Sequence, residues 1–334
     1  MKILRKEHVL PFLEELDKTE TVFCPQQAHG GDLMFMPLGQ GEYTGYIGKT
    51  AISPKAVLFP QTEEILRYGQ GNITKVTNPS CTVLFGIRPC EMKAIRFADR
   101  FMMRDDLIDP NYLAKREHVT TLVVACHEPP SDTCFCIDAG GMPYLEQGYD
   151  VQLFDDNDNY IAVAGSDRGK ALLGNRYFEP CTEEYDARLQ EIKDKALVSQ
   201  GNTPGMQKAI EVLKGDKADD AFWEEVASQC INCGGCVYVC PTCTCFNVYD
   251  LFSQGGHIRY RGWDACVHAG FSRETSGHNP RPTQGSRLAR RYEHKLKFDI
   301  INYSESGCVG CGRCSDACPV GLGIIEIIRS LNEL

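Results

Sequence analysis

No apolar run in this 334-residue chain approaches the ~18 to 20 residues that a membrane-spanning helix needs, so no membrane span is expected. The opening stretch MKILRKEHVLPFLEELDKTE lacks the continuous apolar segment of a signal peptide and reads as a short amphipathic helix. Positive charge is also in deficit. Lys and Arg number 35 against 45 Asp and Glu, a formal net charge of −10, which is the wrong sign for a nucleic-acid binder. There is no GxGxxG dinucleotide fingerprint. The nearest thing to a phosphate loop, GSDRGKA at 165–171, has three residues rather than four before GK and Ala171 where a Mg²⁺-binding hydroxyl belongs. That stretch reads instead as a strand, a turn and a helix capped by Ser166 or Asp167. His127, His257, His268, His278 and His294 show no paired metal spacing, and no nucleophile stands beside an evident base.

What the chain does have is cysteine. Eighteen residues, about 5%, fall below the roughly 8–10% of a small disulfide scaffold, and the chain is long and lacks an export signal. In a reducing compartment, cysteines grouped at ligand spacings point to metal. Residues 230–241 read CINCGGCVYVCP and residues 308–319 read CVGCGRCSDACP. Both follow CxxCxxCxxxCP, the spelling of bacterial two-cluster ferredoxins. Three cysteines at that spacing wrap one cubane. The fourth is carried away and serves the other cluster, and the proline redirects the chain. Gly234, Gly235, Gly310 and Gly312 allow close approach of backbone. One [4Fe–4S] cluster is therefore expected on Cys230, Cys233, Cys236 and Cys318, and a second on Cys308, Cys311, Cys314 and Cys240. Two zinc sites are the alternative, for which the third cysteine and trailing CP are redundant. With every iron holding a thiolate, the pair reads as a wire and not a reaction centre.

Sixty-six residues, 242–307, separate the runs. They contain FNVYDLF, HIRYRGWDACVHAGF and a basic run with Arg287, Arg290, Arg291, Lys295 and Lys297. That run reads either as a solvated helix face or as a cationic lid or docking surface beside anionic clusters. Residues 1–180 look different. Short β-rich runs (TVFCP, DLMFMPL, YTGYI, KAVLFP, CTVLFGI, TTLVVAC, DVQLFDD, YIAVAG) alternate with helical patterns such as RPCEMKAIRFADRFMM and EEILRYG. The expected fold is an α/β or α+β N-terminal domain over 1–180, a helical connector over 181–229, and a mainly helical two-cluster ferredoxin-like domain over 230–334 with the 66-residue insertion.

The first domain has its own cysteines. Cys90 follows one expected strand, Cys126 ends another, and Cys134 and Cys136 follow in SDTCFC. Strand ends are where open α/β sheets gather ligands, so these four suffice for a third [4Fe–4S] cluster. Buried free thiols are the alternative. Cys90 is the weakest member, and Glu91 or His127 could replace it. Cys243, Cys245 and Cys266 read as packing, or as an extra site; Cys24, Cys81 and Cys181 stand alone.

GIRPCEMKAI, DPNYLAKR, CHEPPSDTCFC, CPTCTCFNVYDLF, GCVGCGRCSDACP and SPKAVLFPQTEEI together resemble one iron–sulfur subunit family. It includes the beta subunit of soluble NiFe sulfhydrogenases and the A subunit of anaerobic sulfite reductase. The resemblance covers about residues 50–325, with Glu91 where the family often has Asp and a differing tail, VGLGIIEIIRSLNEL. It implies a subunit that relays electrons between a flavin subunit using NAD(P)H and a catalytic redox subunit. The latter would be of the sulfite reductase, hydrogenase or heterodisulfide-reductase-like kind. It implies the same cluster ligands, with Cys90, Cys126, Cys134 and Cys136 matching the family's N-terminal cysteines. The expectation is an electron-transfer subunit in an anaerobic cytoplasm, with no catalytic residue of its own. The alternative is a self-sufficient flavin-dependent reductase with its own substrate site in the α/β half.

Overall fold

A computed structural model describes residues 1–69, 71–77, 79–199, 201–253 and 256–334. In chain order the strands are β1 (Lys2–Arg5), β2 (Thr21–Gln27), β3 (Leu33–Pro37), β4 (Thr62–Gly69), β5 (Asn72–Lys75), β6 (Thr82–Ile87), β7 (Met103–Arg104), β8 (Leu107–Ile108), β9 (Val119–Val124), β10 (Val151–Asp156), β11 (Asn159–Ala164), β12 (Phe178–Pro180), β13 (Phe246–Ser253) and β14 (Gly256–Trp263).

Eight of them form one mixed sheet in the order β12-β1-β11-β10-β9-β6-β2-β3. Its centre is parallel: β2 with β6, β6 with β9, and β9 with β10. Every residue of TVLFGI (β6) and VTTLVV (β9) is buried, as strands covered on both faces require. Side chains alternate between the two faces. Val83, Phe85, Leu122 and Val124 pack under the helix Val9–Leu16. Leu84, Ile87, Val119 and Val123 pack under the helix Pro89–Met102, through Met92, Ile95, Ala98 and Met102.

EEILRYG, expected as a helix, is strand β4. Its Glu63 instead pairs with Arg261 across the sheet and with Lys115 of the helix Pro110–Arg116. KAVLFP, expected as a strand, contains the short helix Lys55–Leu58, and YTGYI forms no strand.

The second half is built on a helical core. Helices Met206–Lys214, Asp220–Ser228, Gln284–Glu293 and Ile324–Leu331 bury Leu213, Trp223, Tyr292, Ile328 and Leu331 together, with Trp223 stacked on Tyr292 at 6.1 Å between ring centroids. The helix Glu184–Val198 instead lays Ile192 against Ile3, Phe154 and Ile161 of the large sheet. The expectation of a mainly helical C-terminal domain needs correction. FNVYDLF and HIRYRGW of the inserted segment form the hairpin β13–β14, which joins β4 and β5 in a four-stranded antiparallel sheet. Tyr, Phe, Val and Ile in both runs favour strand, and Arg261 on β14 is buried against Glu63 and Asp109.

Candidate metal centres

The two cysteine runs fold into matching loops. Each turns through glycines at positive φ (Gly234 at 74°, Gly310 at 67°, Gly312 at 73°) and then enters a one-turn helix, Gly235–Tyr238 or Arg313–Asp316. The two short helices pack on each other, and Gly235 lies against Ala317, beside Cys318. The fourth cysteine of the first run is thereby carried to the second loop: Cys240 stands within electrostatic reach of Cys308, Cys311 and Cys314. Cys236 and Cys318 lie in turn around Tyr292. Cys233 is exposed, whereas Cys240, Cys308, Cys311 and Cys314 are buried.

The N-terminal cysteines also meet. β6 and β9 are adjacent parallel strands, so their carboxyl ends deliver Cys90 and Cys126 to the same edge of the sheet. Cys90 sits in the first turn of Pro89–Met102. There Glu91 accepts a hydrogen bond from the Arg88 amide at 2.7 Å, a capping box that fixes the loop. Cys134 and Cys136 fold over the same place, and all four thiols line one cavity together with Cys311. Glu91 is spoken for, by the Arg88 amide and by an ion pair with Arg313; His127 is exposed and outside the cavity. The two expected substitutes for Cys90 are therefore not placed as ligands.

The two cysteine regions are stitched together. The Phe135 amide donates to the Gly310 carbonyl at 2.8 Å, and Thr133 Oγ1 to Asp316 at 2.7 Å. Lys49 donates to Thr133 Oγ1 at 2.7 Å and pairs with Asp316. The glycines of the second run serve this contact: a Cβ on Gly310 would stand 2.5 Å from the Phe135 carbonyl, and one on Gly312 would stand 2.2 Å from that of Thr133.

The chemistry of the sites fits thiolate-bound iron. Burial pushes the Cys136 and Cys308 thiols up to about 12, and raises Cys90, Cys126, Cys311 and Cys314 as well. Such thiols ionise only when a cation takes the proton's place. Amide donors already point at the sulfurs, from Asn232 to Cys230 Sγ at 3.4 Å and from Leu322 to Cys318 Sγ at 3.2 Å. Buried guanidinium groups supply the counter-charge. Arg291, 2% exposed, donates through Nε to Cys236 Sγ at 3.0 Å; Arg88 lies 3.8 Å from Cys126 Sγ; Arg313 is buried between Glu91 and Thr50. Arg88 Nε and Arg291 Nη1 are buried with no hydrogen-bond partner among the described residues, which is costly unless an acceptor is supplied there. Cluster sulfides are acceptors of that kind. A zinc ion needs its four sulfurs at about 2.3 Å from one centre. Among the described residues, no three His, Cys, Asp or Glu side chains stand close enough together to hold a single metal ion, zinc or iron.

These arginines were hard to see in the sequence, although Arg88 and Arg313 sit inside the motifs GIRPCE and GCGRCS. The basic run divides. Arg287, Arg291 and Lys295 are buried and Arg290 and Lys297 half-buried, so it is not a solvated face. Cys245 and Cys266 face each other at hydrogen-bonding range, and Cys243 contacts Cys240. Cys24 is buried in the core of the large sheet and Cys81 is exposed. Ser166, not Asp167, caps Asp167–Leu172, its Oγ accepting from the Gly169 amide at 3.0 Å.

Residues 229–322 match the family model described as a 4Fe-4S dicluster domain. The chain is also 26% identical over 339 aligned positions to the protein named Sulfhydrogenase 2 subunit beta of Pyrococcus furiosus, covering 99% of this chain and 98% of the relative. No solved structure matches. Among the described residues no helix is long and apolar enough to cross a membrane. Both similarities agree with the resemblance carried by the cysteine motifs.

Proposed function

We propose that the chain is an electron-relay subunit holding three [4Fe–4S] clusters in a row. Cys230, Cys233, Cys236 and Cys318 would hold the first, Cys308, Cys311, Cys314 and Cys240 the second, and Cys90, Cys126, Cys134 and Cys136 the third. The observation that carries this reading is the position of Cys311, which stands in the second set and on the wall of the cavity that gathers the third. Clusters, when bound, carry electrons one at a time at potentials set by charge, hydrogen bonds and exposure. The chain's own residues do the tuning. Arg291 faces the first set, Arg313 the space between second and third, and Arg88 the third. The first and third sets support two ends for a wire. Cys233 is exposed beside Ile231, itself 60% exposed, and the third cavity is lined in part by the exposed Glu128 and the half-buried Pro129 and Pro130.

The unit boundaries at 180 and 229 follow the same reading, with β13–β14 reaching back from the cluster unit to β4. The partners would be a flavin subunit that takes electrons from NAD(P)H and a catalytic redox subunit. The relative is, by its name, one subunit of a sulfhydrogenase, which favours a hydrogenase-type complex. Oxygen-sensitive clusters of this kind suit an anaerobic cytoplasm. An anaerobic count of iron, sulfide and zinc, with electron paramagnetic resonance (EPR) after dithionite reduction, tests the proposal. About twelve iron and twelve sulfide per chain are expected. About eight of each would remove the third cluster, and zinc in place of iron would overturn the relay.

A further inference from the structure

Three cysteines remain outside the twelve assigned to clusters yet close to them. Cys243, Cys245 and Cys266 line a cavity of about 240 Å³ between the PTCTCF turn, the segment after β14 and the helix Gln284–Glu293. Cys245 and Cys266 face each other, the Cys266 amide also donating to the Cys245 sulfur, and the Asp264 amide bonds the Cys245 carbonyl at 3.0 Å. The two segments are thereby held side by side. Cys243 contacts Cys240, the second-set ligand delivered from the first run. Arg291, Lys295 and His294 line the same cavity, with Lys295 fixed by Thr242 Oγ1 at 2.7 Å and the Gly307 carbonyl at 3.1 Å.

We propose that Cys245 and Cys266 are a redox-active dithiol that exchanges two electrons with the paired clusters. The proposal rests on the cluster reading above. On oxidation, the Cys245 S–H bond breaks and the Cys266 thiolate and Cys245 sulfur form one S–S bond. One proton passes to solvent, and two electrons pass one at a time to the two oxidised clusters. Reduction reverses each step. Two adjacent one-electron carriers match a two-electron thiol couple in number. The surroundings favour a thiolate on one partner. The hydrogen bond from Cys245, with Arg291, Lys295 and His294 nearby, brings the Cys266 thiol down to about 6 despite its burial, while Cys245 is held up. Packing alone would not call for the open space.

The test uses the full, cluster-loaded chain, purified without oxygen. It is poised oxidised and titrated with titanium(III) citrate, and thiols are trapped by alkylation and mapped by mass spectrometry. The unaltered chain should take up about two electrons more than either Cys245→Ser or Cys266→Ala. A Cys245–Cys266 crosslink should be present before reduction and absent after it, and Cys81→Ser should behave as unaltered. Cys245 is only half-buried, so its variant stands if Cys266→Ala folds poorly. Equal electron uptake with intact cluster EPR signals, or a crosslink that joins Cys243 to Cys245 instead, would overturn the assignment. Absence of cluster signals from the unaltered chain would overturn the cluster reading and this proposal with it.

Discussion

The two cysteine regions gather their ligands in different ways. In the C-terminal region three cysteines of each proposed set come from one loop of seven residues, and only Cys240 and Cys318 would cross over. In the N-terminal region Cys90, Cys126, Cys134 and Cys136 are spread over 47 positions and meet because β6 and β9 are parallel neighbours. The first arrangement is local and survives in any context that permits the loop. The second exists only when the sheet has formed. The contrast extends to packing: Cys308 and Cys314 belong to the main helical core, whereas the third set sits at the edge of the sheet, beneath the loop 129–136.

That difference can be broken at several points. The largest effect is expected from Cys314→Ala, which removes a ligand from the middle of the helical core. Iron should fall from about twelve to about eight or fewer per chain, and helical circular dichroism should be lost with it. Arg291→Met comes next. It takes away the buried cation beside Cys236, and removing one partner of a buried charge pair costs about 3–5 kcal/mol. The melting temperature should drop, and the midpoint potential of the adjoining cluster should become more negative in a potentiometric EPR titration. Arg291→Lys should restore much of the potential and less of the stability, because the amine cannot reproduce the planar fork.

Glu91→Gln sharpens the comparison at the seam. It weakens the capping box and frees Arg313 from its ion pair, leaving that positive charge nearer to the second and third sets. Stability should fall by about 1–3 kcal/mol, while the potentials of both sets rise. The smallest effect is expected far from every cluster, at Cys24. Burial pushes this thiol up to about 12, with Asp17 adding to it. An unfolded cysteine ionises near 8.5. Between those values the folded state holds a proton that the unfolded state has lost, so its contribution is complete below about pH 8.5 and declines as pH rises towards about 12. Cys24→Ala should flatten that decline in urea titrations. At pH 8 a maleimide should label Cys81 rapidly and Cys24 only on unfolding.

The paired sets were legible in the sequence because their geometry is written into spacing: the proposed exchange of Cys240 needs no knowledge of the fold. It also exposed β6, β9 and Pro89–Met102, whose hydrophobic periods are strong. The hairpin β13–β14 was not read as strand, because its pairing with β4 comes from about 190 residues away and its buried charge, Arg261, is neutralised only there. For the same reason EEILRYG looked helical. Arg291 and Lys295 read equally well as a solvated face, since one-dimensional spacing does not say which side of a basic helix meets buried sulfur. The four N-terminal cysteines were visible as strand-end residues, but their meeting point required the topology.

The measurement closest to the central claim is a paired iron count and reduced-state EPR spectrum on the unaltered chain and on Cys126→Ala. If three clusters lie in a row with the third held by the sheet, the variant should lose about four irons, keep its circular dichroism and retain the interacting signal of the paired clusters. An unchanged iron count would show that Cys126 binds nothing and that the row ends at the second cluster.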